Sequence, residues 1–174
     1  MAVKQNTSKA SAQTMSWVWI ALVVLLVIGL FSWVWQKKHY AKVCMPQNIQ
    51  LTAGQQSGAA GTIYQTMILK NTSDKKCTIG GYPTAFLYGT EGYALGSAAA
   101  ARPQPAPTTI TLEPNESANT VLGYPQAGNF NPGVCSAKST ALKLYLPSAV
   151  TPLQVPLEVA WCPGFSSTAV AAGS

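Results

Sequence analysis

Four cysteines, Cys44, Cys77, Cys135 and Cys162, are the residues of this chain best equipped for chemistry. Thiolates can ligate zinc, act as nucleophiles or oxidise to disulfides. Zinc sites usually draw ligands from close pairs such as Cys-x2-Cys. Here the spacings are 33, 58 and 27 residues, and the only histidine, His39, precedes the whole cysteine-bearing region. Neither a metal nor any other cofactor is expected. Four cysteines allow three disulfide pairings. Sequential pairing, Cys44–Cys77 and Cys135–Cys162, is favoured because it closes two modest loops. Each bridge would stabilise the fold by about 3 kcal/mol by restricting the unfolded chain.

Other catalytic constellations are thin. A Ser-His or Cys-His pair needs a base beside the nucleophile, and no histidine follows Cys44. A Ser-Lys dyad of Lys138 with Ser136 or Ser139 is formally available, but a solvated loop lysine is the simpler reading. Glycosidases need two placed carboxylates. Of the five acids, Asp74, Glu91, Glu113 and Glu116 fall in turn sequences, leaving Glu158. The glycines at 58–61 lack the Lys-Ser/Thr of a phosphate loop. No enzymatic activity is expected. Asn71-Thr72-Ser73 and Asn115-Glu116-Ser117 match glycosylation acceptors, yet read equally well as turns. Arg102, the single arginine, sits in a Pro/Ala-rich loop.

Charge narrows the partners. The net charge is +6, but residues 1–43 supply Lys4, Lys9, Lys37, Lys38 and Lys42 without an acid. From Cys44 onward six basic residues meet five acids. Nucleic-acid binders concentrate base on one face, so no nucleic-acid partner is expected. The bases instead flank residues 17–35, WVWIALVVLLVIGLFSWVW, an uncharged run. Nineteen helical residues rise about 28 Å, near the hydrocarbon thickness of a bilayer. Trp17, Trp19, Trp33 and Trp35 bracket the run, and Lys37 and Lys38 follow, as interfacial anchors do. A single-pass transmembrane helix is the expectation, with the bilayer as a partner. The flanking lysines slightly favour a cytoplasmic C-terminal side. Disulfides persist outside the reducing cytosol, and long domains translocate largely regardless of flanking charge. The cysteines therefore set the expected topology: N-terminus cytoplasmic, C-terminal domain outside the cell membrane.

The elements that must hold the cysteines read as β. Thr62–Lys70, Thr84–Tyr88, Thr108–Leu112, Ala118–Gly123, Thr140–Leu146 and Gln154–Trp161 are short β-rich runs separated by turn residues. A short strand at 48–53 would precede a flexible GQQSGAAG loop, and Tyr93–Gly96 would pair with 84–88 around Gly89–Gly92. Seven to nine such strands and no amphipathic helix give an all-β antiparallel β-sandwich. Its core would hold Ile63 or Tyr64, Ile68, Phe86, Leu112, Leu122, Leu142, Leu144 and Trp161. The expected layout is a cytoplasmic tail (1–16), the transmembrane helix (17–35), a linker (36–46), the β domain (47–165) and a flexible tail (166–174).

The sequence Asn71-Thr72-Ser73, then Cys77-Thr78-Ile79-Gly80-Gly81-Tyr82-Pro83, resembles the domain of unknown function four-two-three-two family. Cys44, Gly58–Gly61, Thr111-Leu112-Glu113-Pro114-Asn115 with Ala118, Cys135 and Cys162 extend the likeness over about residues 44–165. Ile79 stands where the family usually has leucine, and an apolar span stands where many members carry a lipidation signal. The resemblance implies an immunoglobulin-like sandwich outside the cell and no defined activity. A non-catalytic binding module, meeting an envelope protein or glycan through its loops, is the favoured function. An accessory subunit of a membrane complex is the alternative.

Overall fold

The computed structural model describes residues 19–20, 22–32, 41–135, 137–147 and 149–173. The chain divides into two compact units, Met1–Tyr40 and Ala41–Ser174. In the first, residues 19, 20 and 22–32 are helical and exposed. Among the described residues no helix is long and apolar enough to cross a membrane. The ends of the expected span 17–35 lie outside the described residues, as does the 1–16 tail.

The second unit is built of β-strands. They are β1 (Lys42–Val43), β2 (Ile49–Ala59), β3 (Thr62–Asn71), β4 (Cys77–Gly80), β5 (Thr84–Tyr88) and β6 (Ala100–Ala101). After these come β7 (Thr109–Leu112), β8 (Ser117–Pro125), β9 (Ala141–Tyr145), β10 (Leu153–Pro156), β11 (Ser166–Ser167) and β12 (Ala171–Ala172). They form three sheets, ordered β1-β4-β7, β10-β9-β5 and β2-β3-β8-β11-β6, with β12 also on β8. Pairing is not antiparallel throughout: β1 runs parallel to β4 and β11 parallel to β6. Each parallel pair involves a two-residue edge strand, β1 in one sheet and β6 in the other. There a short segment can pair in either direction without a crossover helix.

Alternation fixes the faces. On β3 the buried side chains are Gln65, Met67, Leu69 and Asn71, so Ile68 faces outward and Ile63, not Tyr64, packs toward the core. On β5 Ala85 and Leu87 are buried and Phe86 faces outward. Both departures have one cause. A strand carrying apolar residues at odd and even positions does not reveal its inner face, and here the small Ala85 faces inward while Phe86 does not. Leu112, Leu122, Leu142 and Leu144 do enter the core, and Trp161 packs against it half-buried. Full burial of each leucine contributes about 2 kcal/mol, an upper-bound transfer figure.

The segment expected as a flexible loop is strand. β2 continues to Ala59 and turns through Ala60 (φ 48°) and Gly61 (φ 75°), a two-residue hairpin. A bulge between Ala53 and Gln56 absorbs the irregular sequence. The buried Gln65 amide fills it, donating to Gly54 O (2.8 Å). Residues 166–173 are not a flexible tail either. β11 and β12 both pair antiparallel with β8, and Phe165, Ala169 and Val170 are buried. Thr168 fastens this segment: Thr120 Oγ1 donates to its carbonyl (2.8 Å) and Val121 N to its hydroxyl (2.9 Å). A run of small residues, SSTAVAAG, looks featureless alone but fits where backbone meets backbone closely.

Candidate functional site

The cysteines act in structure. Cys44 is bonded to Cys77 and Cys135 to Cys162, and all the cysteines are spent. The first bridge joins the start of the domain to β4, beside the parallel β1–β4 pair, where Cys44 N donates to Thr78 O (2.9 Å). Within what was read as the 36–46 linker, β1 and the buried Cys44 thus already belong to the domain. The second bridge ties the 124–137 loop to the chain after β10. Of the expected interface anchors, Trp19 is exposed; Trp17, Trp33, Trp35, Lys37 and Lys38 lie outside the described residues.

Asn71, a glycosylation-type motif in the sequence, is buried (0% exposed). Its Nδ2 donates to Lys75 O (2.9 Å), Leu112 O (3.1 Å) and Glu113 O (3.3 Å). Its Oδ1 accepts from Ser73 N (3.0 Å) and Ser73 Oγ (2.8 Å). The amide clamps the β3–β4 turn to the β7–β8 turn and offers no nitrogen to a sugar. Ser139 is likewise committed: its hydroxyl donates to Leu157 O (2.6 Å) and accepts from Val159 N (3.0 Å). Lys138 lies in an isolated bridge with Ala160. The Ser139 hydroxyl hydrogen is thus taken by Leu157 O, and Ser136 lies outside the described residues. Among the described residues no group of three or more His, Cys, Asp or Glu could hold a metal.

Three surface features remain. A shallow cavity of about 190 Å³ is lined by Gln56, Ile63, Tyr124, Gln126, Glu158 and neighbours. Tyr124 is buried, and burial pushes its phenol up from the ordinary value, offset in part by the amide of Gln56, which donates to its hydroxyl oxygen. This cavity adjoins the hairpin tip, where Gly61 O accepts from Gln126 N (2.9 Å) and Asn129 Nδ2 (2.8 Å). So the 54–61 and 124–137 segments do meet, though as a strand end docked on a loop.

The second is the outward face of β5-β9-β10. The register sets Thr84 opposite Tyr145, Phe86 opposite Lys143, and Gln154 on the far side of Lys143. Phe86 and Tyr145 pack edge to face with centroids 6.2 Å apart. The Lys143 ammonium lies 4.0 Å from the Tyr88 ring centroid. Phe86, Tyr88, Lys143 and Tyr145 are each half-buried and share one face. The third pairs Arg102 with Tyr64 on the outward side of β3. Sequence reasoning sought the site in loops and missed both faces. The signal for the sheet face was Phe86-Leu87-Tyr88 against Lys143-Leu144-Tyr145, where each strand alternates around a leucine.

The family model described as Domain of unknown function (DUF4232) matches residues 44–172. This chain belongs to the DUF4232 family. The match runs through β11 and β12, so the tail segment is part of the DUF4232 unit. The residues carrying the likeness do structural work: Cys44 and Cys77 are bridged, Asn71 clamps two turns, and Gly81 accepts a hydrogen bond from Val170 N (2.9 Å). No curated protein matches the chain.

Proposed function

We propose that this DUF4232 protein is a non-catalytic glycan-binding module, held by residues 17–35 at the outer side of the cell membrane. One observation carries the binding reading: Phe86, Tyr88 and Tyr145 share an outward sheet face with Lys143 and Gln154. These half-buried rings offer apolar surface to the apolar faces of pyranose rings. Lys143, Gln154 and Thr84 supply donors for hydroxyls around them. Ring stacking on a rigid sheet loses little side-chain entropy on binding.

The anchoring rests on the uncharged run and its tryptophan brackets, and the outer placement on the two disulfides. We also infer that the three sheets pack as two layers of an immunoglobulin-like sandwich. The support is that the inward faces of all three sheets contribute to one apolar cluster.

Co-sedimentation of the full chain, in non-ionic detergent, with purified cell-wall glycan tests the binding reading. Retention is expected, with a fall of about tenfold or more for the Tyr88→Ala/Tyr145→Ala pair. Equal retention of that pair, or none by the wild type, overturns it.

A further inference from the structure

Arg102 is the only arginine in the chain and follows β6 directly. Its position is set by the backbone: Arg102 N donates to Ser167 O (2.8 Å), continuing the β11–β6 pairing. Its guanidinium carbon lies 5.1 Å from the Tyr64 ring centroid. Tyr64 is itself seated. It stands opposite Gly123 on β8, and a Cβ at that glycine would meet the Tyr64 ring at 3.3 Å and Ser166 Oγ at 2.8 Å. The absent side chain lets the phenol lie close against the sheet. Arg102 then covers the ring.

A guanidinium stacked on an aromatic ring loses water from one face, while its N–H donors remain in its own plane. Among the described residues no carboxylate lies within salt-bridge distance of Arg102, and no acceptor meets its side-chain donors. The residue is half-buried, so its charge is partly screened from bulk water yet unneutralised. This is the donor geometry that binds a phosphate through two parallel N–H···O bonds. Lysine elsewhere on the domain cannot present that fork.

We propose that Arg102, stacked on Tyr64 above Gly123, is a binding site for a phosphate group carried by an envelope component. The site is separate from the β5-β9-β10 face, and its test is independent of glycan retention. The sole arginine gives a single Nε–Hε resonance, a direct reporter unaffected by the lysines near the N-terminus. The full chain in non-ionic detergent is titrated with inorganic phosphate, then with a glycerol-phosphate oligomer. In a second arm the micelles are doped with phosphatidylglycerol.

A saturable shift of that resonance is expected with inorganic phosphate. Movement with the oligomer assigns the phosphate to a polymer, and movement in the doped micelles assigns it to a lipid headgroup. Arg102→Lys should weaken phosphate binding by about tenfold, read from the backbone amides of residues 101–103. Tyr64→Leu, which keeps the charge and removes the stack, should weaken it severalfold while the remaining backbone spectrum is unchanged. A shift that never saturates, one reproduced by equal ionic strength of chloride, or unaltered binding by Arg102→Lys overturns the site.

Discussion

Asn71 shows how much one side chain can hold. A buried amide with no partner costs about 1–3 kcal/mol per unmet group, and here one amide meets three carbonyls and two donors from Ser73. Asn71→Asp keeps the size and inverts the chemistry, turning the Nδ2 donors into an oxygen facing the carbonyls of Lys75, Leu112 and Glu113. A loss of about 3 kcal/mol or more is expected in chemical denaturation at neutral pH, with partial recovery at acidic pH as the carboxyl protonates. Asn71→Ser, at the same pH, should cost less because no charge is buried. That Asn71 begins a turn was legible from Asn-Thr-Ser-Asp. That it is buried was not, since its partners at 112 and 113 are remote in sequence and arrive only through the β4–β7 pairing.

At the scale of elements, the β2–β3 hairpin turns on Gly61. Its φ of 75° is costly for a residue with a Cβ, and that Cβ would also meet Asn129 Nδ2 at 2.3 Å. Gly61→Ala is expected to destabilise by about 1–2 kcal/mol, measured as a shift in the denaturation midpoint. The amides of Gln126 and Asn129 should show the largest local spectral change, because both donors sit on Gly61 O. Read alone, GQQSGAAG is a flexible loop and not a strand ending in a tight two-residue turn. Gly, Gln and Ser are weak strand formers alone, so the segment 54–59 reads as loop. Pairing with β3 and the Gln65 amide in the bulge override that local preference.

For the whole molecule, residues 165–173 complete the core instead of trailing from it. Removing residues 165–174 would expose the β8 edge, empty the places of Phe165 and Val170, and strip the Thr120 hydroxyl of its acceptor. A loss of about 4 kcal/mol or more follows from apolar burial and hydrogen bonding together. The truncated chain should melt well below the full chain and expose β8 to limited proteolysis. An unchanged melting temperature would mean the segment only rests on the sheet.

The sequence by itself determined the β class, the apolar run with its tryptophan brackets, the family likeness and the thinness of catalytic chemistry. These depend on composition, local alternation and short motifs, which need no knowledge of remote partners. Tertiary structure decided which face of β3 and β5 is inward, that 54–59 is strand, and that 165–173 is core. It also decided that Arg102 lies on Tyr64 and Lys143 on Tyr88. Each of these rests on a contact between residues distant in the chain. Burial and cross-strand register, which choose among locally equal alternatives, exist only once the sheets have met.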